Sequence, residues 1–219
     1  AIELFEVQAN TVGRAHYVHS RQAPRFFAGR ESIRETLDDL AAQAMQGHGT
    51  ILGICGEPGS GKSYLLSRVI DQWVARGGKG IYGRCTYATR GTPLGPIAAM
   101  LSEYLELPSS EPDEQWWHRL KQLMQQTGLN AQSLQPLLVL LGARGQKAGF
   151  ARSNEALAEI ADPHVQEKLL ASIEAIVRLR ISQEPLLYII EDLHDADGLT
   201  LQALQRLSGL PRQGRFFWI

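Results

Sequence analysis

Gly56-Glu57-Pro58-Gly59-Ser60-Gly61-Lys62-Ser63 decides how the rest of the chain is read. These residues satisfy the pattern G-x-x-x-x-G-K-[ST] without a mismatch. Ahead of them, Thr50-Ile51-Leu52-Gly53-Ile54-Cys55 is a short apolar run that reads as a buried strand. Behind them, Tyr64 to Arg76 carries Leu65, Leu66, Val69, Ile70, Trp73 and Val74 at helical spacing. Gly56, Gly59 and Gly61 free the backbone for positive φ and for close approach of a ligand. Successive N–H groups turned inward form an anion nest, and the helix starting near Lys62 aims its positive end at the same spot. In that arrangement Lys62 reaches the β- and γ-phosphates of a nucleotide, and the Ser63 hydroxyl sits on Mg²⁺. The candidate nucleotide contacts are therefore Gly56 to Ser63 together with Tyr64, which follows directly.

A loop that binds phosphates needs acids to act on them. Leu186-Leu187-Tyr188-Ile189-Ile190 is wholly apolar, follows Pro185 and runs into Glu191-Asp192. Such a run reads as a central strand of a parallel sheet. Ligands of open α/β sheets lie at the carboxyl ends of the strands, which puts both acids on the side of the loop. One acid there holds Mg²⁺ and a second polarises the attacking water. Lys62, Glu191 and Asp192 are the catalytic candidates and Ser63, Glu191 and Asp192 the metal candidates; by position, Glu191 is the acid nearer the metal and Asp192 the one nearer the water. The competing reading is that strand ends carry acids to cap the next helix. His194 either senses the γ-phosphate or hydrogen-bonds the turn, and the second role is the expectation.

The chain has 219 residues, 44% of them hydrophobic, and a formal net charge of -1. That charge gives no electrostatic ground for nucleic-acid or anionic-membrane binding. No run of 18 apolar residues is present, and the start has no basic segment followed by an apolar one, so neither a membrane span nor a secretory leader is expected. Cys55 and Cys85 both fall in predicted buried strands and read as free core thiols of a cytoplasmic protein. Residues 1–24 read as a short strand over 2–7 and a linker, and residues 25–219 as the nucleotide-binding domain. A helix bearing Ile33, Leu37, Leu40, Ala41 and Ala44 precedes the first strand. Phe26-Phe27 before Gly29 either staples that helix to the core or lines a purine pocket. Gly80 to Cys85 is the second strand, so strand, helix and strand form a right-handed parallel unit.

Residues 86–185 then interrupt the sheet with helical patterns over Pro93–Leu107, Glu114–Gln126, Ser133–Leu141, from Asn154, and from the cap Asp162-Pro163 to about Ile181. A link at 108–113 and a mobile segment at 142–152 separate them. This insertion serves either partner contacts or core packing on one sheet face. Asp197 caps a further helix, and Arg215 to Ile219 is the next strand. A polar sensor of the γ-phosphate, a last strand and a helical lid are expected beyond it. The fold class is thus α/β, a P-loop NTPase with a parallel sheet, flanking helices and a helical insertion, and the likeness that follows implies its ASCE or AAA-like kind.

The order Phe27-Ala28-Gly29-Arg30-Glu31, Gly56 to Ser63, Cys85, Pro93-Leu94-Gly95-Pro96 and Leu187 to Asp197 resembles the AAA-type ATPase module of bacterial signalling proteins, the STAND-like predicted ATPases. The usual forms there are a G-R-E box, G-E-x-G-x-G-K-S, and a strand end reading E-D-L-H-W-A-D. Asp195 stands where the family carries Trp. The likeness covers about residues 26–219. It implies ATP and Mg²⁺ as cofactors, adds Phe27 and Arg30 to the candidate binding residues, and implies covalently linked signalling domains and a homo-oligomer as partners. Relatives of this module lie behind class III nucleotide cyclase domains or ahead of helix-turn-helix activator domains. Ile2-Glu3-Leu4-Phe5-Glu6-Val7 is similar to the segment leaving a cyclase domain.

Other classes fit less well. A small-molecule phosphotransferase needs an arginine-bearing lid and an acceptor pocket soon after the second strand, and the paired acids favour water as acceptor. An origin-recognition-like ATPase shares these motifs, but no basic stripe supports it. A GTPase lacks its N-K-x-D signature.

Overall fold

The computed structural model describes residues 31–87, 92–105, 114–142, 160–210 and 214–219. Among these, the elements are α1 (Glu31–Met45), β1 (Thr50–Ile51), α2 (Lys62–Ala75), β2 (Lys79–Arg84), α3 (Gly95–Tyr104), α4 (Glu114–Thr127), α5 (Ala131–Gly142), α6 (Pro163–Gln183), β3 (Leu186–Glu191), α7 (Gly198–Leu207) and β4 (Phe216–Trp218). The expectations for residues 2–24, for Phe26, Phe27 and Arg30, for the link at 108–113, for 143–152 and for the helical pattern starting at Asn154 lie outside the described residues.

The four strands form one wholly parallel sheet in the order β1-β4-β3-β2. Side chains on a strand alternate between its faces, and the apolar runs at 186–190 and 216–218 use both. Leu186, Tyr188, Phe216 and Trp218 face a core shared with α3, α5, α6 and α7. Leu187, Ile189 and Phe217 face the opposite core, built with α1 and α2. Phe216 and Phe217 are both essentially inaccessible to water, and burying side chains of that size contributes roughly 1.5–3 kcal/mol each. The result is a three-layer sandwich, and the helices between β2 and β3 supply most of one outer layer. Ile97, Leu101, Leu137, Leu140, Ile173 and Ile176 are all within that core, so these faces of the insertion serve core packing.

Helix limits follow from local chemistry. Gly61 sits at φ 87° and lets α2 begin at Lys62, where the helix is expected to start. Gly77, at φ 82°, ends it. Asp162 caps α6 by accepting from the His164 N–H at 2.7 Å, with Pro163 in the first turn. α3 starts at Gly95 rather than Pro93 because Leu94 is left-handed, at φ 56°.

Two expectations change. The predicted strand 50–55 is cut to Thr50–Ile51, because pairing with β4 ends where the Leu52 N–H donates to the Trp218 carbonyl at 2.8 Å. Cys55 is consequently exposed rather than buried, while Cys85 is buried as expected. β1 and β2 belong to the same parallel sheet but do not touch, since β4 and β3 lie between them. No helix among the described residues is long and apolar enough to cross a membrane.

Phe217 makes β4 a core strand of the sandwich. Phe217→Ala is expected to destabilise the fold by about 3–5 kcal/mol in urea unfolding, while Leu201→Ala on the exposed side of α7 changes stability by less than about 0.5 kcal/mol. Equal effects would contradict the assignment.

Candidate functional site

The loop 56–63 connects the end of β1 to α2, and its geometry follows from its glycines. Gly59 and Gly61 lie at φ 77° and 87°, where any other residue would be strained. Gly56 is needed for a different reason from the positive φ predicted for it. A β-carbon there would lie 2.9 Å from the Ser60 Oγ, so Ser60 would have to turn aside to admit one. The Ser60 Oγ is buried. The Ser60 N–H donates to the Glu57 carbonyl at 3.1 Å and tightens the turn. Lys62 Nζ donates to the carbonyls of Gly56 at 2.7 Å and Glu57 at 2.9 Å, which holds the ammonium over the loop. The first turn of α2 has no side-chain cap, because Gly61 has none to offer. The first N–H groups of any helix lack intrahelical acceptors, so this end favours an anion. Pro58 and Glu57 are exposed on the outer side of the loop, and Tyr64 is half-buried.

α2 is aimed by its buried face. Leu65, Leu66, Val69, Ile70 and Trp73 pack on Leu187, Ile189 and Phe217, with the Trp73 and Phe217 rings 6.1 Å apart. That packing delivers Ser63 to the carboxyl end of β3. β4 separates β1 from β3, a gap of about 9–10 Å at normal strand spacing. The side chains close it, for Ser63 Oγ donates to Glu191 Oε1 at 3.0 Å. The second oxygen, Glu191 Oε2, accepts a short hydrogen bond from the Tyr82 hydroxyl on β2. Burial and then the Glu191 hydrogen bond push the Tyr82 phenol up, so it stays a donor across neutral and alkaline pH.

Asp192 faces elsewhere. Its backbone is left-handed, at φ 56°, a conformation that costs a residue with a side chain of order 1–3 kcal/mol. Its Oδ2 accepts from Arg84 Nε at 2.7 Å. That hydrogen bond, ahead of all else, raises the Arg84 guanidinium further above its ordinary value. His194 is exposed and lies 3.8 Å from Asp195, as a turn residue does.

Asp197 caps α7 through Oδ1, which accepts from Leu199 N at 3.1 Å and Thr200 N at 2.9 Å. The same oxygen accepts from the strained Leu94 N at 3.3 Å and so ties the start of α3 to the acidic strand end.

Of the predicted site residues, the structure therefore brings together the loop, Lys62, Ser63 and Glu191, and turns Asp192 toward Arg84. Phe27 and Arg30 are outside the described residues. Tyr82 and Arg84 were not among the predicted site residues. The sequence shows only two polar-headed side chains at alternate positions of β2, and their partners appear once β2 is seen to flank β3.

With that geometry in place, comparison with protein families matches residues 27–219 to the AAA ATPase domain. The chain belongs to this family of nucleotide-binding ATPase modules. No curated protein and no solved structure matches it.

The two cysteines next to this site should behave differently. Burial, with Asp197, Asp192 and Asp195 nearby, pushes the Cys85 thiol up to about 11. Thiolate is the reactive form, so at pH 8 only about one Cys85 in a thousand is available. Peptide mass spectrometry after brief iodoacetamide treatment at pH 8 should find Cys55 alkylated and Cys85 intact. Equal labelling would contradict the burial of Cys85.

Proposed function

We propose that this chain is an ATP-binding and ATP-hydrolysing switch module of a multidomain signalling protein. The observation that carries the reading is the hydrogen bond between Ser63 Oγ and Glu191 Oε1, 3.0 Å long, beside the glycine-built loop. Two hard oxygen donors side by side at a phosphate cradle suit Mg²⁺, which takes few protein ligands and shares itself with phosphates. The residues therefore fit the cation, and Ser63 and Glu191 would hold it. When bound, Mg²⁺ neutralises charge on the β- and γ-phosphate oxygens.

The chain's own groups do the rest. Backbone N–H groups of Gly59 to Ser63 and the Lys62 ammonium grip the phosphates, and Tyr64 follows in the same turn. Asp192 orients the attacking water and accepts its proton, while Arg84 fixes the Asp192 carboxylate. Phe27 and Arg30 remain the candidates for the adenine side. The module cycles between ATP-bound and hydrolysed states, with slow turnover suited to regulation. Within this reading the linked output domain is a nucleotide cyclase, supported by the likeness to STAND-like modules and by Ile2 to Val7. Self-association in the cytoplasm completes it.

Lys62→Ala is expected to weaken ATP binding at least about 100-fold by equilibrium titration, since it removes a charge-assisted contact. Retained tight binding would sink the loop assignment. Asp192→Asn should lower turnover by about 10²–10⁴-fold while ATP stays bound, and wild-type turnover would place the base elsewhere. In the full-length protein, Lys62→Ala should alter cyclic-nucleotide production; a protein with no cyclase activity overturns that finer part alone.

A further inference from the structure

Glu191 occupies the cation-ward position with a side chain that swings about three torsions, one more than aspartate. A carboxylate on so long a stem needs a second anchor to present a fixed oxygen to a metal, because each loose torsion must be frozen on binding. The structure supplies the anchor from a separate element. β2 runs parallel to β3 in a register that sets Tyr82 opposite Ile189 and Arg84 opposite Glu191. The Tyr82 ring packs against the core beneath α2, in company with Leu187 and Ile189. Its hydroxyl therefore arrives at Glu191 on a rigid ring held at one end. Ser63 donates to Oε1 and Tyr82 to Oε2, so the two oxygens are claimed by donors from α2 and β2.

We propose that Tyr82 is a positioning residue for the cation site, fixing Glu191 so that its Oε1 edge faces Ser63, where the two side chains would hold the metal. This rests on the reading of 56–63 and Glu191 as a nucleotide–Mg²⁺ site. Tyr82 touches neither phosphate nor metal in this scheme and acts only through the carboxylate. Outer partners of metal ligands behave in this way, and losing one typically costs 10–100-fold in metal affinity. Binding of nucleotide without metal does not involve Glu191, so the hydroxyl should leave it untouched.

The test is Tyr82→Phe, which keeps the ring in the core and removes only the hydroxyl. Affinity for a fluorescent ADP analogue is measured by anisotropy in EDTA and across a Mg²⁺ titration, with thermal unfolding as the check on folding. The expected result is an apparent Mg²⁺ constant raised about tenfold or more, with affinity in EDTA within about twofold of wild type. In a Glu191→Ala background, Tyr82→Phe should add less than about a twofold further change, because the anchor then has nothing to hold. An unchanged Mg²⁺ constant overturns the proposal, as does an equal loss of affinity in EDTA. A full effect in the Glu191→Ala background overturns it too. Failure of the underlying reading looks different: wild-type protein would show no Mg²⁺-dependent binding, or Lys62→Ala would bind as well as wild type.

Discussion

A single hydrogen bond joins the two halves of the site: Ser63 Oγ to Glu191 Oε1, across 128 positions of sequence. The rest of the architecture can be understood as what makes that contact geometrically unavoidable. β1 must end where the loop begins. α2 must lie along the sheet at one height, which Trp73 against Phe217 sets. β3 must run parallel to β1 so that both carboxyl ends open to the same side, and β4 must sit between them to fix the gap. If β3 slipped by one residue, Leu187 and Ile189 would exchange faces with Leu186 and Tyr188, and Glu191 would turn away from Ser63.

The two acids are adjacent in sequence but belong to different environments. Glu191 still follows the pleat of β3 and is clamped by two hydroxyl donors. Asp192 leaves the sheet through a left-handed backbone and enters an ion pair with Arg84. Both partners of that pair are substantially exposed, so its part is to orient the carboxylate rather than to stabilise the fold. The other left-handed non-glycine residue among those described, Leu94, is reached by the same segment through Asp197. Backbone strain thus gathers at the strand end and at the entry to the helical layer, linked by one carboxylate oxygen. Stability of the module is carried elsewhere, by the two apolar faces of β3 and β4.

The sequence made the site's chemistry legible more readily than its surroundings. The loop could be read because glycine at 59 and 61 is the residue that a left-handed backbone selects. β3 could be read because a strand buried on both faces must be apolar at every position. The order of strands was not legible, since the hydrophobic pattern says which faces are buried and not which neighbour lies alongside. For the same reason Tyr82 and Arg84 escaped notice: their role exists only once β2 is known to flank β3. Cys55 is exposed against expectation because the apolar run 50–55 is not paired along its whole length and its ladder bonds end at Leu52. The proposed roles of Phe27 and Arg30 and the linked domains rest on the family likeness.

Paramagnetic broadening tests the central claim most directly, because it reports where a nucleotide-bound cation sits without perturbing any residue. With amide resonances assigned and substoichiometric Mn²⁺–ATP added, signals of Gly59, Gly61, Lys62, Ser63 and Glu191 should vanish together. Those of Lys79 and Leu186, at the amino ends of β2 and β3 and a full strand length from Glu191, should persist. Sharp loop signals alongside broadening in another part of the molecule would contradict the account.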